Sequence, residues 1–315
     1  MQQLPRHVIG VGASAGGVEA LRTLVADLPA DLDAAVCIVL HIPPSGKSLL
    51  APILARMTPL ETVLAEHGAP LRPGVIYVAP ADRHLLIRHD VVELSRGPRE
   101  NGVRPAADPM FRSLAAAWGA NGVAVVLSGS LDDGAAGAVA VVEAGGRLLV
   151  QEPSDALVPG MPSSAIAVTR PDAVLPIGEL GAALGRLLTP TSARRIAPVS
   201  APSPRVASGF TCPECAGALW ELREGGLVRY ACRIGHAYSE EAMVEAQGGA
   251  VEAALWRALT ALEERGELLE RIADRMGATA PRSEHRFREG AREAGERAAT
   301  IRRVLAVGSA EEVAR

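Results

Sequence analysis

The sequence predicts an α/β fold, a doubly wound and mostly parallel sheet with helices on both faces, followed by a small cysteine-bearing module and an α-helical hairpin. Three observations carry this. Short runs of branched apolar residues alternate with helix-like segments through residues 1–188, the pattern of βα units. Three of the four cysteines then fall between 212 and 232. Beyond Ser239 the chain turns rich in Ala, Glu and Arg, with apolar residues at helical spacing.

The first strand, opening at Val8, runs into Gly12-Ala13-Ser14-Ala15-Gly16, a G-x-S-x-G turn that should open a helix. A serine on such a turn can be an exposed nucleophile, its neighbouring backbone N–H groups facing an oxyanion, or it can simply cap the helix. The same residues fit a dinucleotide fingerprint, G-x-G-x-x-G/A. The second strand, Ala34 to Leu40, argues against that, because it ends in His41 with Pro43 and Pro44 behind instead of the Asp or Glu that binds a ribose. A third strand, Val123 to Leu127, leads to Asp132 and Asp133. In an open parallel sheet the residues just past neighbouring strand ends share one crevice, so Ser14, His41 and one of the two aspartates can meet. His84 is a second histidine near a strand end, and the residues alone do not separate Asp132 from Asp133.

The remaining elements follow from local signals. Gly74 to Pro80 reads as a strand, His84 to Ile87 and Val91 to Leu94 as a hairpin about His89-Asp90 that makes a mixed edge, Pro109 to Trp118 as a helix, and Arg147 to Gln151 as a further strand. Residues 189–208, with Pro190, Pro198, Pro202 and Pro204, read as a linker. In residues 209–238, Cys212, Cys215, Cys232 and His236 make C-x2-C-x16-C-x3-H. Three thiolates and an imidazole suit a closed tetrahedral Zn²⁺ site, structural and without a catalytic role, in a module too small to hold itself by its core. Residues 239–315 should form a helical hairpin or coiled-coil tail. Val251, Leu255, Ala258, Leu262, Leu269, Ile272 and Met276 make one stripe, broken at Arg265, and Phe287, Ala291, Ala294, Ala298, Ile301 and Leu305 make another. The two helices should pack antiparallel, with a homodimer seam as the alternative use of the stripe.

The motifs GASAGG, LHIPP, NGVRPAADPMF, LSGSLDDGA and VPGMPSSAI, spread over about the first 190 residues, together resemble the protein-glutamate methylesterases of bacterial chemotaxis, the CheB family. The resemblance implies Ser14 as nucleophile, His41 as base and Asp133 as the carboxylate orienting it. It also implies an oxyanion and substrate surface from Ala15, Gly16, Asn101, Arg104 and Met161. The implied activity is demethylation of glutamyl methyl esters, with glutamine deamidation as a second activity and no cofactor for catalysis. The implied partner is a methylated chemoreceptor or related signalling protein. The chain departs from the family at Ser14-Ala15-Gly16-Gly17, where S-T-G-G is common, and at Leu127 to Leu131, where L-T-G-M-G is common, so the pocket walls should differ. Family members carry an N-terminal receiver domain, yet here the catalytic strand starts within the first ten residues. The expectation is therefore a standalone form that is constitutively active, controlled by a separate regulatory protein, or regulated or targeted by its own zinc and helical region.

Composition agrees with an ordinary soluble protein. At 315 residues, 48% apolar and 22% charged, the chain can bury a full core. A net charge of −4 offers nothing to nucleic acid. No apolar run spans a bilayer and no secretory pattern opens the chain, so a cytoplasmic protein without membrane insertion is expected. The competing reading is a non-catalytic scaffold that binds a partner through its zinc and helical regions.

Overall fold

The structure is a computed structural model and describes residues 4–45, 48–188, 205–224, 226–276 and 280–312. Seven strands form one sheet: β1 (His7–Ala13), β2 (Ala34–Leu40), β3 (Glu61–Leu64), β4 (Val75–Val78), β7 (Gly122–Val126), β8 (Arg147–Gln151) and β9 (Ala173–Leu175). Their order is β3-β4-β2-β1-β7-β8-β9, and every pairing is parallel. The central strands β1, β2 and β7 are buried along their whole length, which is why they read as continuous apolar runs without alternation. The expected hairpin forms as β5 (His84–Arg88) and β6 (Val91–Ser95), but it is a two-stranded sheet of its own and not a mixed edge.

Helices cover both faces. On one lie α1 (Gly17–Ala26), α2 (Leu50–Leu54) and α6 (Ile177–Leu187), whose Leu21, Leu24, Leu54 and Leu184 pack on Ile9, Val11 and Ile38. On the other lie α3 (Ala107–Trp118), α4 (Ala135–Glu143) and α5 (Gly160–Val168), with Phe111, Leu114 and Trp118 against Val8, Val39 and Val126. Gly12 sets how close α3 can come, since a β-carbon there would stand 2.7 Å from that of Ala107. The N-terminus of α3 is thereby brought to the carboxyl edge of the sheet.

A second, antiparallel sheet of four strands follows: β10 (Val206–Thr211), β11 (Ala218–Glu224), β12 (Leu227–Cys232) and β13 (Ala237–Ser239). Strand β10 begins inside the expected linker, because Val206 and Ala207 pair with Glu221 and Trp220; residues 189–204 of that linker lie outside the described residues. Residues up to Met243 make one compact unit, so this sheet packs as part of the α/β body.

From Val244 the chain forms a second unit, carried by α7 (Glu240–Met276) and α8 (Pro281–Glu312). The helices are antiparallel, as the ion pairs Arg288–Glu270 and Arg302–Glu263 require. On α8 the expected stripe holds, with Ala291, Ala294 and Ala298 buried. On α7 it is displaced: Leu259 and Ala273 are buried while Ala258 and Val251 are exposed. The seam runs through Leu255, Leu259, Leu262, Gly266, Leu269, Ala273 and Met276, an unbroken alternation of fours and threes. Gly266, not Arg265, stands in the seam, where it faces the Ala291 carbonyl and the Ala294 β-carbon.

Candidate active site

Three loops meet at the carboxyl edge of β1, β2 and β7. Ala13 pairs with Leu40 across β1 and β2, so Ser14 and His41 are the next residues on adjacent strands, about 5 Å apart along the backbone. The His41 N–H donates to the Ala13 carbonyl at 3.1 Å, and the Ser14 N–H to the Ser128 carbonyl at 2.9 Å. Gly16 takes φ 73° before α1, a left-handed turn that costs glycine nothing. The turn leaves the Ala15 and Gly16 N–H groups without an acceptor among the described residues. They stand at a helix N-terminus, where unpaired donors and the macrodipole favour negative charge.

His41 Nε2–H donates to Asp133 Oδ2 at 2.7 Å. A neutral imidazole bonded this way keeps its lone pair on Nδ1. Asp133 is buried and accepts three further hydrogen bonds, from the N–H groups of Ala107 (2.5 Å) and Asp108 (3.2 Å) in the first turn of α3 and from Asn101 Nδ2 (3.2 Å). Burial pushes its pKa up, but the bond to His41 and the α3 amides outweigh this and hold it down at about 2. Asp132 faces elsewhere and accepts from Ser239 Oγ at 2.6 Å. His84 is buried with both ring nitrogens used, Nε2 on the Pro98 carbonyl and Nδ1 accepting from the Ala106 N–H, and burial lowers its pKa.

The other expected site residues divide. Met161, buried at the start of α5, packs beside Ser14, since its sulfur and the Ser14 β-carbon both crowd the place a β-carbon on Gly129 would take. Arg104 spends its guanidinium on Asp82 and on the Gly97 carbonyl. Asn101 turns its amide onto Asp133 and Asp108, at 3.2 and 3.4 Å, and its Oδ1 accepts from the Ser239 N–H. Sequence reasoning missed Leu157, an apolar side chain 76% exposed that overhangs Gly16. It also missed Ser128, whose Oγ donates to the Ala15 carbonyl (2.7 Å) and accepts from the Val158 N–H (3.0 Å), tying the serine turn to that overhang. The only sequence signal for Ser128 was its place at a strand end.

A second cluster gathers Cys212, Cys215, Cys232 and His236, whose ligand atoms all lie within 4.8 Å of one another, close enough to hold a metal ion. Cys215 Sγ and Cys232 Sγ are 3.7 Å apart, far beyond a disulfide bond, and His236 Nδ1 is 3.5 Å from Cys232 Sγ and 3.7 Å from Cys212 Sγ. These spacings match the roughly 3.7 Å edge of a tetrahedron with metal–sulfur bonds near 2.3 Å. Glu214 Oε2, 3.3 Å from His236 Nε2, supplies the outer partner that orients a ligating imidazole.

A parallel doubly wound sheet with a serine, a histidine and a buried aspartate gathered at its carboxyl edge places this chain among the open α/β proteins whose sites lie at the carboxyl ends of the strands. More narrowly, it belongs to the CheB methylesterase family, which residues 9–184 match. A protein-glutamate methylesterase/protein-glutamine glutaminase of a Nocardioides species is 41% identical over 186 residues, 58% of this chain and 50% of that protein. One from Anaeromyxobacter dehalogenans is 42% identical over 175 residues, 55% of this chain and 51% of that protein. The CheB methylesterase catalytic domain of Thermotoga maritima superposes with a TM-score of 0.56 at 31% identity, covering 58% of this chain and 98% of that one. The chain spans about half the length of the curated relatives it matches. Among the described residues no helix is long and apolar enough to cross a membrane.

Proposed function

We propose that this chain hydrolyses glutamyl methyl esters on methylated chemoreceptor-like signalling proteins through Ser14, His41 and Asp133. The observation that carries the reading is the 2.7 Å bond from His41 to a buried Asp133 on the strand end next to Ser14. Ser14 Oγ attacks the ester carbonyl while His41 Nδ1 takes its proton, and Asp133 stabilises the imidazolium that forms. The Ala15 and Gly16 N–H groups receive the oxyanion. Collapse expels the methoxy group, which leaves as methanol with the proton returned by His41; water, deprotonated by the same nitrogen, then frees the carboxylate and Ser14. A glutamine amide follows the same path with ammonia leaving, in keeping with the glutaminase in the relatives' names. Met161 and Leu157 would form the apolar wall beside the ester.

Zinc is the metal that suits three thiolates and one imidazole in a closed site. Four protein ligands leave no coordination position for water, so the ion would hold the β12–β13 turn and take no part in ester chemistry. The reading is tested with a fluorophosphonate probe and a methylated receptor peptide. Wild-type protein should be labelled at Ser14 and release methanol, while Ser14→Ala should do neither. Methanol release by folded Ser14→Ala would overturn the mechanism.

A further inference from the structure

Strands β12 and β13 do more than carry metal ligands. Arg229, on β12 and only 3% exposed, reaches Asp108 Oδ2 with Nη1 (3.2 Å) and Glu100 Oε2 with Nη2 (2.9 Å). Strand β13 lies along residues 99–101: the Asn101 N–H donates to the Ala237 carbonyl (2.8 Å), the Ala237 N–H to the Arg99 carbonyl, and the Ser239 N–H to Asn101 Oδ1 (3.0 Å). Asn101 in turn holds Asp133 and Asp108 with its Nδ2. Three carboxylates, Asp133, Asp108 and Glu100, thus share one buried pocket behind His41. Their counter-charges are two guanidiniums, Arg112 on α3 and Arg229 from the second sheet.

We propose that Arg229 is a positioning residue for the His41–Asp133 pair, and that the cysteine-bearing sheet is therefore a wall of the catalytic site and not an appended tether. Buried carboxylates ionise together only when cations balance them. Asp133 must stay charged to hold the imidazolium, and it does so among His41, Asn101, Asp108, Glu100 and Asp132, with His84 nearby. Asp108 is already raised to about 6 by burial, with Arg229 opposing that rise. A chain that lost Arg229 would carry excess negative charge behind His41. That charge favours the imidazolium, so the base would be free only at higher pH. Asp108 would absorb part of the imbalance by taking a proton, which limits the shift to less than a full unit-charge effect. Cys232 ends β12 and His236 directly precedes β13, so an ion joining them would fix the two strands that deliver Arg229 and grip Asn101.

The proposal rests on His41 being the base, and the test separates the two. The pH dependence of kcat/KM is measured for the full chain on a small ester, for wild type, Arg229→Met, Arg229→Lys and Glu100→Gln, with folding followed by circular dichroism. Arg229→Met should move the acid limb to higher pH by about 0.5–1 unit and lower kcat/KM on that limb by up to about tenfold, the scale of one pKa unit. Arg229→Lys should return the limb toward wild type. Glu100→Gln, which removes an anion without changing shape, should move it to lower pH, and so tests the charge balance even if Arg229→Met does not fold. Limbs unmoved in the folded variants, or moved in the same direction by both, would overturn the role of Arg229. A wild-type protein that neither labels nor turns over would instead refute the reading of Ser14 and His41.

Discussion

Replacing Asp133 by asparagine tests the candidate site most severely, because the structure surrounds this carboxylate with donors alone. Oδ2 accepts from His41 Nε2 and the Ala107 N–H, and Oδ1 from the Asp108 N–H and Asn101 Nδ2. An amide has one oxygen, so its NH₂ must face two donors whichever way it turns. Placed toward His41, it forces the ring to accept at Nε2 and to carry its proton on Nδ1, the nitrogen that should receive the serine proton. Placed at the Oδ1 position, it opposes the Asp108 N–H and Asn101 Nδ2 and leaves a first-turn amide unsatisfied. Either arrangement forfeits one or two buried hydrogen bonds, each costing about 1–3 kcal/mol. The wrong tautomer can lower kcat by about 10⁴-fold, since an orienting carboxylate does its work through the imidazole. The assay is single-turnover labelling by a fluorophosphonate beside steady-state ester hydrolysis, with thermal melting to confirm the fold. Asp133→Asn should fall by about three to four orders of magnitude yet stay above Ser14→Ala and His41→Ala. Activity within tenfold of wild type would refute the reasoning, and so would a larger loss in Asp132→Asn.

Four other outcomes are expected. Folded His41→Ala should show no ester hydrolysis and negligible labelling of Ser14, whereas His84→Gln should keep most activity, since His84 bonds only to backbone groups. Asp133 also links stability to acid: its folded pKa of about 2 lies below the usual 3.8, so its contribution of about 2–3 kcal/mol is present above pH 4 and is lost as pH falls from about 4 toward 2. Acid titration of Asp133→Asn should lack that component of the transition. Elemental analysis should find one zinc per chain, and Cys215→Ser or chelation should lower the melting temperature; a metal-free wild-type protein of equal stability would remove zinc from the account. In the helical unit, Leu259→Ala should cost about 2–5 kcal/mol while Ala258→Ser stays near neutral, which urea denaturation of the two variants would read.

Much of the fold was written locally. β1, β2 and β7 are apolar almost throughout, and burial on both faces is what such runs signify, so a parallel sheet followed from their alternation with helices, while the strand order did not. Ser14 and His41 were legible for the same reason, as residues at the ends of adjacent strands. The cysteine spacing was legible too, because ligands that share one ion must lie on tight knuckles. Periodicity failed in part on α7, where a helical stripe drawn by hydrophobicity preferred Ala258 to Leu259 and Ile272 to Ala273 and was broken at Arg265. The seam is decided by which residues the partner helix faces, and there Gly266 lies opposite Ala291 and Ala294. What only the tertiary structure decided is how charge is arranged behind His41. Asp132 and Asp133 are neighbours of one chemical type, and what distinguishes them is the position of the α3 amides, which Gly12 and Ala107 bring to the sheet edge. Arg229 lies 121 residues from Asp108, and no local pattern records that pairing. Local sequence specifies backbone conformation and burial, whereas the balance of buried charges is a sum over groups that meet only when the chain has folded.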